Sequence, residues 1–318
     1  MRVVFIGTGD IGLPVLRSLL ESEAHELTGV VTRPDRPVGR HQCIQPPPVK
    51  AAVAGSVVPV LQPERIKHDD AVRQIQALAP DVIVVMAYGQ ILPRAVLDIP
   101  RIACVNLHAS LLPRHRGAAP IQAAIAAGDR ESGITVMHMD EGLDTGDIIL
   151  KSTLPIAPDE TGGSLHDRLA KVAPDTLEEA LRLLAGGRAP RVAQDNALAT
   201  YAPKLDRHNG LIEWRQPCDV IERTIRAFDP WPGAYAVLRD STGLERKLKI
   251  FRGRVIIEAK LAAGALLASS SAGLLVGTVD GALSLTDVQL EGKKRMPARD
   301  LLRGSTWLEN AVVVADRA

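Results

Sequence analysis

The chain has 318 residues, enough for two domains each with its own core, and an apolar fraction of 46% that is ordinary for a globular protein. Its formal net charge of +1 excludes a global basic signal for nucleic acid. Only Cys43, Cys104 and Cys218 carry thiols; they lie far apart with no CxxC pair, which argues against a disulfide framework or zinc site and for a reducing cytoplasm.

The charge is uneven along the chain. Residues 205–318 hold 17 lysines and arginines against 14 acids, a net of +3, which leaves −2 for the remainder. A local basic face needs no more than that. The start, Met1 to Gly7, enters an apolar run directly, without the length or cleavage site expected of a signal peptide. The apolar stretch 310–315 is far too short to span a bilayer, so no membrane association is expected.

In chain order, β-branched runs alternate with helical patterns. Strands are expected at 3–6, 27–32, 81–87, 103–108 and 133–139, and helices at 13–21, 70–78 and 118–127. This rhythm predicts an α/β fold with a mostly parallel sheet covered on both faces. Residues 33–50 read as one long loop carrying Arg33, Arg36, Arg40 and Lys50. That length suggests a functional segment; a solvated, proline-stiffened loop is the plain alternative. A helix at about 163–186 and a polar stretch to 209 follow. From Leu211 the texture changes to short alternating strands at 234–238, 247–251, 274–279 and 282–285, with helices at 220–227 and 297–302. These predict a small β-barrel, with the domain boundary at 205–210: domain one over 1–204 and domain two over 205–318.

The chemistry concentrates at strand ends. Asn106 and His108 are two apart, so on a strand both side chains project from one face. Asp144 lies in Gly142 to Gly146, another expected strand-end turn. An amide can stabilise an oxyanion, an imidazole can hold or move a proton, and a carboxylate can orient the imidazole. No Ser or Cys nucleophile is needed if the acceptor is an amine. Each residue also has a plain structural alternative: a sheet-edge amide, a half-buried histidine, an Asx turn. Their conjunction at the carboxyl ends of one sheet, where ligands bind such folds, favours a site. His115, in a surface turn, and His138, on a strand, are read as structural. No spacing suggests metal ligation.

Gly7, Gly9 and Gly12 match GxGxxG between a strand and a helix, the context of a dinucleotide fingerprint. The second strand, however, ends Val31-Thr32-Arg33-Pro34 rather than in an acid. Arg33 could suit a 2′-phosphate, so an NADP reading survives on spacing; the plain reading is a tight strand-to-helix turn, and no NAD is expected.

Residues 106–120 and 133–147 together resemble the active-site strand, loop and turn of folate-dependent formyltransferases. The resemblance extends to 31–40, Tyr201 to Lys204, Ile225 to Ala234 and Gly292 to Met296, motifs of the branch that acts on initiator tRNA. It implies a Rossmann-like first domain and an OB-like C-terminal barrel. It implies 10-formyltetrahydrofolate as co-substrate, with no metal, and the α-amino group of methionine on initiator methionyl-tRNA as acceptor. By position Asn106, His108 and Asp144 match the catalytic trio, and Ser110, Leu111, Leu112 and Pro113 the folate-contacting turn. The loop at 34–49 would enter the acceptor stem. RNA contacts are expected from Arg36, Arg40, Lys204, Arg207, Lys247, Lys249, Lys293, Lys294 and Arg295, and a monomer is expected. His115 stands where Trp is common, His138 where Gln is common, and Asp229 where Asn is frequent.

The rivals are a formyltransferase acting on a sugar amine or glycinamide ribotide, an NAD(P) oxidoreductase built on the glycines, and a non-catalytic RNA-binding module.

Overall fold

A computed structural model describes residues 1–39, 42–269 and 271–314. It divides into two compact units: residues 1–120, 131–155 and 166–203 in the first, and 121–130, 156–165 and 204–318 in the second.

The first unit carries β1 (Arg2–Gly7), α1 (Leu13–Leu20), β2 (Glu26–Val31), β3 (Arg36–Val38), β4 (Cys43–Gln45), α2 (Pro48–Ala52), β5 (Val60–Leu61) and α3 (Asp69–Ala77). It continues with β6 (Val82–Met86), α4 (Arg94–Leu97), β7 (Ala103–His108) and β8 (Arg116–Gly117). Between the last of these and β9 (Glu131–His138) the chain forms α5 (Pro120–Ala127), which belongs almost wholly to the second unit; β10 (Ile148–Pro155), most of α6 (Gly162–Ala185) and β11 (Tyr201–Ala202) complete the first.

Seven strands form one sheet in the order β10-β9-β7-β6-β1-β2-β5. Its centre is parallel and fully apolar: Val3 to Ile6 and Val82 to Val84 are solvent-inaccessible, because helices cover both faces. The expected Rossmann-like sheet is present, with one addition. β9 runs antiparallel to β7, and β10, which no sequence pattern marked, runs antiparallel to β9. β10 alternates buried and exposed residues as an edge strand does.

The segment at 33–50 is not an irregular loop. β3 and β4 pair as a hairpin and α2 follows. Strands of three residues each are too short to show a period. Lys50 pairs with Asp35 at 2.8 Å, and hydrogen bonds from Gln62 and then Lys50 hold the Asp35 carboxyl below the usual range.

The second unit contains α7 (Cys218–Ala227), β12 (Tyr235–Arg239), β13 (Glu245–Ile256), β14 (Leu266–Ser269), β15 (Gly273–Gly277), β16 (Ala282–Leu290), β17 (Met296–Pro297), α8 (Ala298–Arg303) and β18 (Val312–Val313). The strands form an antiparallel, nearly closed barrel-like sheet in the order β14-β15-β16-β13-β12-β18, with β17 on β16. Ile221 and Ile225 of α7, Leu301 of α8, Trp214 and Leu308 share its core with Leu238, Leu248, Val276 and Leu283. Among the described residues, no helix is long and apolar enough to cross a membrane.

Candidate active site

Strand β7 lies where the sheet changes from parallel to antiparallel pairing, between β6 and β9. Its alternation puts Asn106 and His108 on one face, and both are buried. Asp144 comes from the turn after β9, about 14% exposed at its side chain. The turn brings its carboxylate back to β7: Oδ1 lies 3.4 Å from Asn106 Nδ2 and Oδ2 lies 3.6 Å from His108 Nδ1. The three residues picked from sequence therefore converge. Their distances are long for hydrogen bonds, as catalytic contacts often are before substrate binds.

His108 and Asp144 are held from behind. His108 Nε2 donates to the His115 carbonyl at 2.9 Å. A carbonyl can only accept, so this proton is committed to Nε2, and Nδ1 is the nitrogen that faces Asp144. Asp144 Oδ2 accepts the Gly117 backbone N–H at 2.8 Å. Asp144 itself sits at φ +53°, a left-handed conformation that costs an L-residue and needs support from its surroundings.

His115 is not on the surface. It is 5% exposed, at φ +57°, with its backbone N–H given to Thr200 Oγ1 at 2.8 Å. The polar Pro113-to-Gly117 sequence looks like a solvated turn, but pairing of β8 with β11 covers it. His138 is buried on β9, as its strand position suggested. Burial first, and then the Arg191 charge, push its pKa down.

The Ser110-to-Pro113 turn is fixed by its own polar groups. Ser110 is fully buried and its hydroxyl donates to the Arg114 carbonyl at 2.7 Å; Thr135 Oγ1 donates to the Ser110 carbonyl at 2.6 Å and accepts from Leu112 N–H at 3.2 Å. Leu112 is buried with Met137 and Ile148, whereas Leu111 and Pro113 are half-buried. The turn can therefore offer a ligand Leu111, Pro113 and backbone, not the Ser110 hydroxyl.

The glycines of the apparent fingerprint are packing residues. A Cβ on Gly7 would lie 2.6 Å from the Phe5 ring and 2.7 Å from the Met86 carbonyl, and one on Gly12 would lie 3.0 Å from the same ring. Close approach of strand and helix explains them without a nucleotide. Among the described residues, no three His, Cys, Asp or Glu side chains are placed to hold a metal.

Of the expected RNA contacts, Arg40 lies outside the described residues. Arg36 is exposed on β3 in the first unit. In the second unit Arg207, Lys247 and Lys249 come together. Lys247 lies over the Tyr235 ring at 3.3 Å; burial, then the neighbouring Lys249 and Arg207 charges, lower its pKa, with Glu291 opposing. Lys204, Lys293 and Lys294 are exposed. Arg295 is committed to Asp287 at 2.7 Å through Nε and stacks over Phe251 at 4.0 Å.

Sequence reading missed the supporting groups: Gln194, Arg116, Thr200 and the Gly117 N–H. Gln194 and Thr200 lie about fifty residues or more from the groups they support, in a polar stretch with no period to betray them.

The chain is similar to known proteins along nearly its whole length. A family model described as formyl transferase covers residues 1–181, and its C-terminal-domain companion covers 204–306. The methionyl-tRNA formyltransferase of Akkermansia muciniphila is 48% identical over 311 residues, 98% of each chain. That of Geobacter sulfurreducens is 45% identical, covering 96% of this chain and 94% of its own. Among solved structures, HypX from Aquifex aeolicus in complex with tetrahydrofolic acid has a TM-score of 0.60 at 20% identity, over 95% of this chain and 47% of that one. WlaRD, a sugar 3N-formyl transferase, has a TM-score of 0.64 at 16% identity, over 92% and 99%. At these identities the two structures share the fold.

Proposed function

Because this chain belongs to the formyl transferase family, we propose that it transfers the formyl group of 10-formyltetrahydrofolate to the α-amino group of methionine on initiator methionyl-tRNA. The near full-length likeness to methionyl-tRNA formyltransferases supports the acceptor. The observation that carries the chemistry is the convergence of Asn106, His108 and Asp144 at the carboxyl end of β7.

The reaction forms a bond from the acceptor nitrogen to the formyl carbon and breaks the bond from that carbon to folate N10. The acceptor nitrogen loses a proton and N10 gains one. Negative charge develops on the formyl oxygen, and Asn106 Nδ2 with the Nδ1–H of protonated His108 are the donors on the right face to meet it. Asp144 holds the imidazole and is the group able to take up the amine proton, directly or through water. Leu111, Pro113 and the backbone of their turn form the folate-facing wall.

Residues 1–204 would be the catalytic domain and 205–318 the RNA-binding domain of a monomeric, cytoplasmic enzyme. Held together, Arg207, Lys247 and Lys249 repel one another, and a phosphate would relieve that repulsion. Lys204, Lys293, Lys294 and Arg36 would extend the track, and Arg295, already paired, would contribute least. The hairpin of β3 and β4 would approach the acceptor stem.

The deciding experiment measures formyl transfer to charged initiator and charged elongator methionyl-tRNA side by side. Formylation of the initiator alone is expected. Transfer to neither, by folded protein, would redirect the search to sugar-amine acceptors.

A further inference from the structure

The polar segment that follows α6 returns to the candidate site twice. Its first return is Gln194. The side-chain amide donates to the Asp144 carbonyl at 2.9 Å and to the Gly146 carbonyl at 2.8 Å. Its oxygen accepts from Arg116 Nε at 3.0 Å and Nη2 at 2.9 Å, and the same Nη2 donates to Asn196 Oδ1 at 2.9 Å. The second return is Thr200, whose carbonyl accepts the Arg116 N–H at 2.9 Å beside its hydroxyl contact to His115.

An amide with both N–H groups and its oxygen engaged cannot slide or turn without losing several hydrogen bonds at once. The plain reading is that Gln194 ties down a surface segment. Two observations say more. Its donors reach the carbonyl of the same residue whose carboxylate faces His108, and that residue holds a left-handed conformation that persists only when its surroundings over-determine it. In addition Arg116, which fixes Gln194, is followed by Gly117, whose N–H binds the Asp144 carboxylate. Both ends of Asp144, main-chain carbonyl and carboxylate, are thus held through one Arg116–Gly117 pair.

We infer that Gln194, fixed by Arg116, is a positioning residue that sets the direction of the Asp144 carboxylate toward His108. The inference rests on the proposed role of Asp144 in formyl transfer. Gln194 acts through Asp144 and needs no contact with either substrate.

The test is a double-mutant cycle on the full-length enzyme. Gln194→Glu keeps the shape and the Arg116 partner but turns both N–H donors into an oxygen aimed at two carbonyls. It is expected to lower kcat on the order of 10- to 100-fold, with KM for formyl donor and for tRNA within about 3-fold of wild type. Gln194→Asn, too short to span both carbonyls, serves in the same cycle if Gln194→Glu does not fold. Each is combined with Asp144→Asn and followed by single turnover at enzyme excess. If Gln194 works through Asp144, its substitution costs less than about 2-fold in the Asp144→Asn background. An unchanged kcat in the single Gln194 variants, or the same loss with and without Asp144→Asn, overturns the inference. Wild-type turnover by Asp144→Asn alone overturns the role of Asp144 and the inference with it, and it is seen without touching Gln194.

Discussion

His108 is fixed at Nε2 by a backbone carbonyl, which leaves Nδ1 turned toward the Asp144 carboxylate. His108→Ala is expected to remove nearly all formyl transfer while the melting temperature stays within a few degrees, about the change that 1 kcal/mol brings in a domain of this size. Asn106→Ala, which removes one donor to the developing oxyanion, should lower kcat by about 10²- to 10³-fold; steady-state rates at saturating donor would show it. His138 makes a pH prediction. Burial and Arg191 depress its pKa in the fold, from an ordinary value of 6.5. As pH falls below that value, the unfolded chain binds a proton that the folded chain refuses, so stability is present above it and lost below. His138→Gln removes the term. Its melting temperature should therefore gain on wild type as the pH drops from about 7.5 to about 5.5, and calorimetry across that window would detect the trend. A constant difference between the two proteins would contradict the burial account.

At the level of elements, β7 decides the site because it is the last strand paired in parallel and the first paired antiparallel. The turn after antiparallel β9 leaves beside Cys104, where Met139 N–H meets the Cys104 carbonyl, and folds back along β7 to bring Asp144 to Asn106 and His108. The β1–α1 corner does a different job. Gly7 and Gly12 let the Phe5 ring lie against the strand–helix turn. Gly7→Ala must push that ring or the Met86 carbonyl aside, and should destabilise the protein by about 1–3 kcal/mol, read from denaturant midpoints at unchanged slope. The Gly142-to-Gly146 turn is similarly intolerant: a Cβ on Gly146 would meet the His138 carbonyl at 1.7 Å.

Over the whole molecule, a net charge of +1 hides a local cluster of like charge in the second unit. If Arg207, Lys247 and Lys249 meet phosphates, binding of methionyl-tRNA will weaken steeply with salt, and the paired Lys247→Ala and Lys249→Ala changes will lower the log–log slope by about 1 to 2. Filter binding over a salt series measures this directly. Arg295→Ala, by contrast, removes a side chain already spent on Asp287 and Phe251, and should alter the slope little.

Periodicity and motif were enough for the α/β sheet, the barrel-like second half, and the choice of Asn106, His108 and Asp144 as residues that meet in space. Strand parity fixes which side chains share a face, and buried central strands read as unbroken apolar runs. The antiparallel edge strand β10 needed more, because its apolar and polar residues do not alternate in sequence as its burial does, and its partner is chosen by space. The hairpin of β3 and β4 has strands of three residues each, too short to show a period. His115 looked exposed because its neighbours are polar, and only the pairing of β8 with a strand eighty-five residues further on buries it. Gln194 shows the same division most plainly. A polar side chain acquires a role from the carbonyls it reaches, and those are brought within 3 Å only when the chain folds back on itself.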